Sequence, residues 1–307
     1  MGRRRRPDDL EGVLVVDKPA GPTSHDVVAA VRRAAGQHRV GHTGTLDPAA
    51  TGVLVVCLGR AARLVRFLQA GTKTYAARMA LGVETTSQDA DGEVVATADA
   101  SHIDERTLCE ALTRFQGEIE QVPPMVSALK VGGERLHERA RRGEEVDRAP
   151  RLVRVHALVL DAFEPGERAE ASFLVTCSAG TYVRTIAHDV GRALGVGASL
   201  TALRRVANGP FTLDDAHPVD DVVVAGAEGR LPDLLLAPAV AIDRALPRVE
   251  VSDPDLVLAL ARGGRMPAQG HDDTYGVHAG DRLIGVYADR DGQAHPELVW
   301  TRPEELT

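Results

Sequence analysis

The apolar positions fall into short runs punctuated by glycine, proline and charge. Gly12-Val13-Leu14-Val15-Val16 is continuously apolar and stops at Lys18-Pro19, and Val53-Leu54-Val55-Val56-Cys57-Leu58 has the same texture, so both read as buried strands. Between them Ser24 occupies a helix N-cap position, and Val27, Val28 and Val31 supply an apolar face as far as Gly36. Ala61 to Leu68 reads as an amphipathic helix closed by Gly71, and Thr74 to Leu81 as a strand. A polar loop follows over 83–92, then a helix capped by Asp104 and running to about Phe115. Val122-Pro123-Pro124 opens a strand, and Glu134 to Arg142 is a charge-rich helix. Leu152 to Phe163 and Ala171 to Ser178 alternate as antiparallel strands do; Thr181 to Leu194 has helical spacing, and Ala198 to Val206 returns as a strand. After about residue 245, prolines and glycines break the chain into short pieces, with strands at 283–287 and 297–300 around an Asp291-Gly292 turn. The order of elements and the length predict one large domain followed by a small, mostly β one.

One stretch escapes both periodicities. Arg39-Val40-Gly41-His42-Thr43-Gly44-Thr45-Leu46-Asp47-Pro48-Ala49-Ala50-Thr51-Gly52 carries three glycines and a proline between a helix and a buried strand. It is a loop pinned at both ends by the core. Its one carboxylate, Asp47, is restricted to extended backbone by Pro48. An Asp-Pro pair by itself is turn chemistry. Here it comes with an imidazole and hydroxyls, and the glycines let a large ligand approach the backbone.

Composition changes the picture in few places. Hydrophobic residues make up 44% of the chain, enough for a sizeable core, and aromatics only 3%, so each loop tyrosine stands out. Cys57, Cys109 and Cys177 are far apart, which fits reduced thiols in a cytoplasmic protein and no zinc site. No apolar run approaches the roughly 18 residues of a membrane span. Met1 to Asp9 has the charge of a signal n-region without an apolar stretch after it, and residues 1–10 are expected to be a solvated, disordered basic tail. The net charge is -8, yet residues 1–80 hold 13 Lys and Arg against 6 Asp and Glu. An RNA partner depends on that local field, so the total does not exclude one. Arg60, Arg63 and Arg66 line one side of their helix, either as a solvated face or as phosphate contacts. Asp89-Ala90-Asp91-Gly92 opens like a calcium loop but lacks the later glutamate, which favours a turn.

Gly41-His42-Thr43-Gly44-Thr45-Leu46-Asp47-Pro48, followed by Ala50-Thr51-Gly52-Val53-Leu54, closely resembles the catalytic loop of the TruB family of tRNA pseudouridine synthases. Asp17-Lys18-Pro19 with Gly21 and Ser24, Lys73-Thr74-Tyr75, Ser127-Ala128-Leu129-Lys130 and Gly180-Thr181-Tyr182-Val183-Arg184-Thr185 appear in the family's order. The resemblance is strong over residues 11–215. It implies an α+β fold: a large mixed, mainly antiparallel sheet with flanking helices over 11–245, and a small C-terminal PUA-like RNA-binding domain over 246–307. It implies a monomeric isomerase that converts the T-loop uridine at tRNA position 55 to pseudouridine, with the T-arm as partner and no cofactor or metal.

The reaction breaks N1–C1′, turns the base and joins C5 to C1′, without redox change. Asp47 would either attack C1′, as in retaining glycosidases, or remove the C2′ proton; both need it ionised. By resemblance, Arg184 pairs with Asp47 and orients it in bidentate fashion. Tyr75 stacks on the flipped base and is a candidate base for the C5 proton, and His42 fills the space that the base vacates. Tyr182 and Lys18 line the pocket, Leu203 packs on the base, and Lys130 and Asp89 are further substrate-binding candidates. Two other readings use the same residues. A non-catalytic tRNA-folding chaperone would not need the Asp47-Tyr75-Arg184 set. A glycosidase would need a second acid, which only Asp89 or Asp91 offers.

Overall fold

Alternation along two buried strands sets the architecture. Gly12–Lys18 and Thr51–Leu58 pair antiparallel with Val15 opposite Val55, and both are buried almost throughout. Val13, Val15, Val53, Val55 and Cys57 face one apolar cluster; Leu14, Val16, Leu54, Val56 and Leu58 face another. A strand's side chains alternate across its sheet, so uninterrupted apolar runs are what a sheet covered on both faces requires. The computed structural model describes residues 10–306, apart from 128–129, 132, 137–138, 140–141, 143 and 145. The basic tail over 1–9, Ala128 and Leu129, and much of the helix expected over 134–142 lie outside the described residues.

The large sheet is mixed and mainly antiparallel. Its order is His217–Pro218, Gly12–Lys18, Thr51–Leu58, Ala198–Asn208, Lys73–Leu81, Glu170–Cys177, Arg151–Glu164 and Gly117–Gln121, with Val40–His42 added beside Thr51–Leu58 and Phe211–Thr212 beside Ala198–Asn208. Helix Ser24–Ala34 covers one face through Val27, Val28 and Val31. Helices Glu105–Thr113 and Val183–Ala193 cover the other half of the sheet, packing Leu108, Leu112, Val183, Ile186 and Val190 against Tyr75, Ala77, Met79 and Leu81.

The centre of the sheet contains a parallel pair, with Arg204 opposite Thr51 and Arg205 opposite Gly52. Gly52 has φ +100°, and a Cβ there would lie 2.2 Å from the Arg205 carbonyl oxygen. Only glycine lets the chain leave the loop this close to its neighbour.

A second sheet of five strands, Arg248–Glu250, Tyr275–Ala279, Arg282–Arg290, Gln293–Val299 and Met266–Pro267, forms in the C-terminal part. Leu283, Val286, Leu298 and Trp300 join the same apolar cluster as Val13, Val53, Val55 and Phe67. The two sheets therefore share buried surface.

Several local expectations are revised. Thr23, not Ser24, caps the first helix, in a reciprocal box with Asp26; the Ser24 hydroxyl serves another loop. Gly59–Leu64 is a 3-10 helix, continued by a short α-helix at Val65–Leu68. Three residues per turn still put Arg60, Arg63 and Arg66 on one side. Two of them are engaged by the C-terminal part. Arg60 bonds Glu11 at 2.9 Å and Glu305 at 2.7 Å and lies 4.6 Å over the Trp300 ring, and Arg66 stands 3.7 Å from Glu297. Among the described residues no helix is long and apolar enough to cross a membrane.

Candidate active site

The loop over residues 43–50 is held by side chains buried beneath it. Ser24 Oγ accepts from Leu46 N–H at 2.8 Å and donates to Leu46 O at 3.0 Å. Lys18, fully buried, donates from Nζ to the carbonyls of Pro19, Pro48 and Ala50 at 2.9, 3.0 and 2.7 Å. Arg205, 1% exposed, donates from Nε to Val53 O at 2.6 Å and from its Nη atoms to Gly44 O at 3.2 Å and Thr45 O at 3.5 Å. Asn208 Nδ2 donates to Thr43 Oγ1 at 2.8 Å. Lys18, Arg205 and Asn208 come from strands that flank the loop in the sheet, and Ser24 from the first turn of helix Ser24–Ala34. A loop fastened this way presents Asp47 with little freedom.

Asp47 opens onto a cavity of about 360 Å³, whose walls include Gly44, Leu46, Lys73, Tyr75, Tyr182, Arg184, Leu203 and Arg205. Its side chain is 46% exposed. Removal from bulk water nonetheless pushes its pKa up; Arg184 and Lys18 oppose that shift, while Asp89 and Asp91 add to it.

Arg184, only 4% exposed, is shared. Its Nη2 lies 3.4 Å from Asp47 Oδ2 and donates to Val126 O at 2.5 Å, and its Nη1 donates to Asp89 Oδ2 at 3.0 Å. The bidentate hold on Asp47 expected from sequence is therefore replaced by one long contact. Asp89 takes the shorter bond because its loop is itself fixed: Oδ1 accepts from Ser87 Oγ and from Asp91 N–H, and neighbouring Ala90 N–H bonds Leu200 O at 2.9 Å. Asp89 is thus an arginine holder rather than a wall of the cavity, and the Asp89-Ala90-Asp91-Gly92 segment is a turn.

Tyr75 alternates inward with Lys73 and Ala77 and lies against Arg205. Burial raises its phenol pKa, while Arg205 acts in the opposite direction. Tyr182 precedes helix Val183–Ala193, and its backbone is clasped by buried Gln121, which accepts from the Tyr182 N–H at 2.8 Å and donates to its carbonyl at 3.0 Å. Leu203 reaches the cavity from strand Ala198–Asn208.

The structure thus gathers Asp47, Tyr75, Arg184, Tyr182 and Leu203 around one cavity. His42 stands outside its lining, edge-on to His25 with ring centroids 5.6 Å apart. Its pKa is lowered by burial and then by His25 and Arg205. Lys18 is corrected from pocket wall to loop anchor, its three donors all satisfied by carbonyls. The Lys130 side chain lies outside the described residues. Arg205 and Gln121 were not singled out from sequence, and Lys73 entered only as part of the Lys73-Thr74-Tyr75 run, with no role given to it. The available signal was Arg205 itself, a cation two positions after Leu203 on the inward side of an apolar strand pattern. Among the described residues there is no cluster of three or more His, Cys, Asp or Glu placed to hold a metal ion.

Residues 32–183 match the model of the TruB family pseudouridylate synthase N-terminal domain, and residues 184–242 that of the tRNA pseudouridylate synthase B C-terminal domain. The chain is 54% identical to a tRNA pseudouridine synthase B of Symbiobacterium thermophilum over 80% of its length and 79% of that protein's. It is 44% identical to the one of Thermobifida fusca over 94% and 98%. Among solved structures it superimposes on a chain of an H/ACA RNP bound to a substrate RNA containing 2′-deoxyuridine, with TM-score 0.72 and 25% identity over 96% of this chain and 86% of that one. A chain of a Cbf5-Nop10-Gar1 complex gives TM-score 0.73 and 27% identity, over 95% and 86%.

Proposed function

The chain belongs to the TruB family and is a tRNA pseudouridine synthase, and from that premise we propose that Asp47, Tyr75 and Arg184 isomerise the T-loop uridine at position 55. The observation that carries this reading is the placement of a single, rigidly anchored carboxylate on a cavity that also contains Tyr75 and Arg184. The uridine enters flipped, with its ring between Tyr75 and Leu203, and His42 fills the gap left in the T-loop. Asp47 acts at the ribose, by attack at C1′ or by taking the C2′ proton. N1–C1′ breaks, the base turns, and C5–C1′ forms as the Asp47–C1′ bond breaks or the proton returns to C2′; the C5 proton leaves and N1 gains one. Negative charge on the departing uracil faces Arg205, whose guanidinium stands at the cavity wall.

The substrate is an RNA, and within it the T-arm is the part that this cavity takes. We assign RNA binding to a PUA-like unit over 246–307, and take the enzyme to act as a monomer in the cytoplasm. Its free thiols Cys57, Cys109 and Cys177 support that compartment.

Asp47→Asn tests the assignment. The amide keeps the volume but neither attacks C1′ nor accepts a proton, so isomerisation of an unmodified tRNA transcript is abolished while affinity stays within about tenfold. Turnover within about tenfold of the parent would remove Asp47 from the chemistry.

A further inference from the structure

The residues beside the Arg184–Asp89 pair are themselves paired. Thr185 follows Arg184 in the first turn of helix Val183–Ala193, is 2% exposed, and donates from Oγ1 to Gln88 Oε1 at 2.8 Å. Gln88 immediately precedes Asp89. Two successive residues of the helix therefore grip two successive residues of the turn: Arg184 holds Asp89, and Thr185 holds Gln88.

The turn needs that grip. Gln88 has φ +66°. Among the described residues, the other non-glycine with a positive φ is Asp291, in a hairpin turn of the second sheet. Aspartate visits the left-handed region with the help of its short polar side chain; a glutamine holds it only where its surroundings impose it. Three bonds impose it here. Gln88 N–H donates to Thr85 O at 3.2 Å, its carbonyl accepts from Leu200 N–H at 3.0 Å, and its amide oxygen accepts from Thr185. The first two are backbone bonds open to almost any residue, and the third belongs to the side chain alone. A φ relaxing to negative values would re-aim the peptide that carries Asp89, and its 3.0 Å bond to Arg184 Nη1 would open. Among the described residues, Asp47 and Asp89 are the carboxylates within ion-pair distance of Arg184. With the Asp89 bond open, the charge of Arg184 is left to Asp47.

We propose that Gln88 and Thr185 are positioning residues whose hydrogen bond locks the left-handed turn, seats Asp89 on Arg184 and so keeps the guanidinium from closing on Asp47. The inference rests on the proposed role of Asp47 at the ribose and adds how its separation from Arg184 is maintained. The charged and titratable groups facing Asp47 are Arg184 on the helix, Asp89 and Asp91 on the turn, Lys18 on strand Gly12–Lys18, and Tyr75 and Arg205 across the cavity. The lock acts through the helix and turn groups alone.

The test is the saturating single-turnover rate on unmodified tRNA as a function of pH, for the parent, Thr185→Val, Thr185→Ser and Gln88→Leu. Valine keeps the volume of threonine without the donor, and leucine removes the acceptor. Both variants move the acid limb down by about one pH unit, because Arg184 closes on Asp47. Both lower the plateau about tenfold, because a carboxylate paired in the ground state has less to gain in the transition state. Affinity for tRNA is unchanged. Thr185→Ser keeps the hydroxyl and with it the parent's limb and plateau. Gln88 is half-buried, so Gln88→Leu decides if Thr185→Val fails to fold. The parent's limb in Thr185→Val and Gln88→Leu overturns the lock, as does a limb that moves up or a loss confined to affinity. A crystal structure of Gln88→Leu reads the lock without activity: Arg184 Nη2 nearer to Asp47 Oδ2 than the parent's 3.4 Å supports it, and an unchanged distance overturns it. If Asp47→Asn keeps the parent's turnover, the functional reading fails instead, and that distance still decides the lock.

Discussion

Arg184 gives its shorter ion pair, 3.0 Å, to Asp89 and stands 3.4 Å from Asp47. One guanidinium thus serves two carboxylates, and only the more distant one opens onto the cavity. The arrangement aims Asp47 without neutralising it. A tight bidentate pair would have stabilised the ground-state carboxylate and spent the charge that must act at the ribose.

The first prediction concerns pH. Asp47 acts ionised, and burial, with Asp89 adding, puts its pKa above the usual carboxylate position. The single-turnover rate at saturating tRNA therefore falls as pH drops through that raised pKa. Asp89→Asn removes a charge that raises it, so the acid limb moves to lower pH. Arg184→Gln removes the charge that lowers it most, so the limb moves to higher pH, with a rate loss of about 100-fold from lost aim. Limbs that moved in the same direction would separate Arg184 and Asp89 from the ionisation of Asp47.

The same shift carries a stability cost. A carboxyl whose folded pKa lies above its unfolded one makes the fold less stable as pH rises through that window. At neutral pH the ionised Asp47 therefore destabilises the protein. Asp47→Asn raises the melting midpoint at pH 7, and the difference closes as pH falls below the unfolded value. A midpoint lower than the parent's at pH 7 would contradict the buried-charge account.

Arg205 is the next. Arg205→Met leaves the carbonyls of Val53, Gly44 and Thr45 without their donor inside the protein. Of these only the Val53 carbonyl is buried, and an unsatisfied buried acceptor costs about 1–3 kcal/mol. We expect a loss of about 1–3 kcal/mol in denaturant titration and a rate at saturating tRNA at least about 100-fold lower, since the loop that carries Asp47 loses its floor. Retention of both would reduce Arg205 to a spectator.

How much of this was legible in the sequence follows from the range of the forces involved. Gly12–Lys18 and Thr51–Leu58 were readable because burial on both faces writes itself locally as an apolar run. The loop around Asp47 was readable because it breaks every period. Arg60 was not, since its partners Trp300 and Glu305 lie 240 and 245 residues away and no local pattern distinguishes a docked arginine from a solvated one. Lys18 resembled a ligand-binding cation for the same reason. A lysine beside a catalytic loop reads alike whether it faces the cavity or lies under the floor, and only the sheet register puts Pro48 and Ala50 over its ammonium. The division of Arg184 between Asp47 and Asp89 depends on two loops meeting across the fold, which spacing does not encode.

The last prediction uses that ammonium. Lys18 directs three donors at three carbonyls, and burial, with Arg205 adding, lowers its pKa to about 8 against the pull of Asp47. Above that pH a neutral amine keeps two N–H groups and turns a lone pair toward a third acceptor, so the hold on Pro48 and Ala50 weakens. The saturating rate should fall as pH rises through about 8. Stability should do the reverse: the unfolded lysine keeps its proton up to its ordinary pKa of 10.5, so between the two values deprotonation in the fold makes unfolding harder. Rate lost while the melting midpoint holds or rises separates loop release from unfolding. Lys73 provides the comparison. Burial also lowers it to about 8, but it serves two carbonyls, those of Gln69 and Gly71, and a neutral amine satisfies both. Lys18→Met should therefore abolish the alkaline limb at a rate about 100-fold below the parent's, whereas Lys73→Met should keep it. A parent profile flat from pH 7 to about 9.5, or a limb that disappears with Lys73 instead, would show that the proton on Lys18 does not hold the catalytic loop.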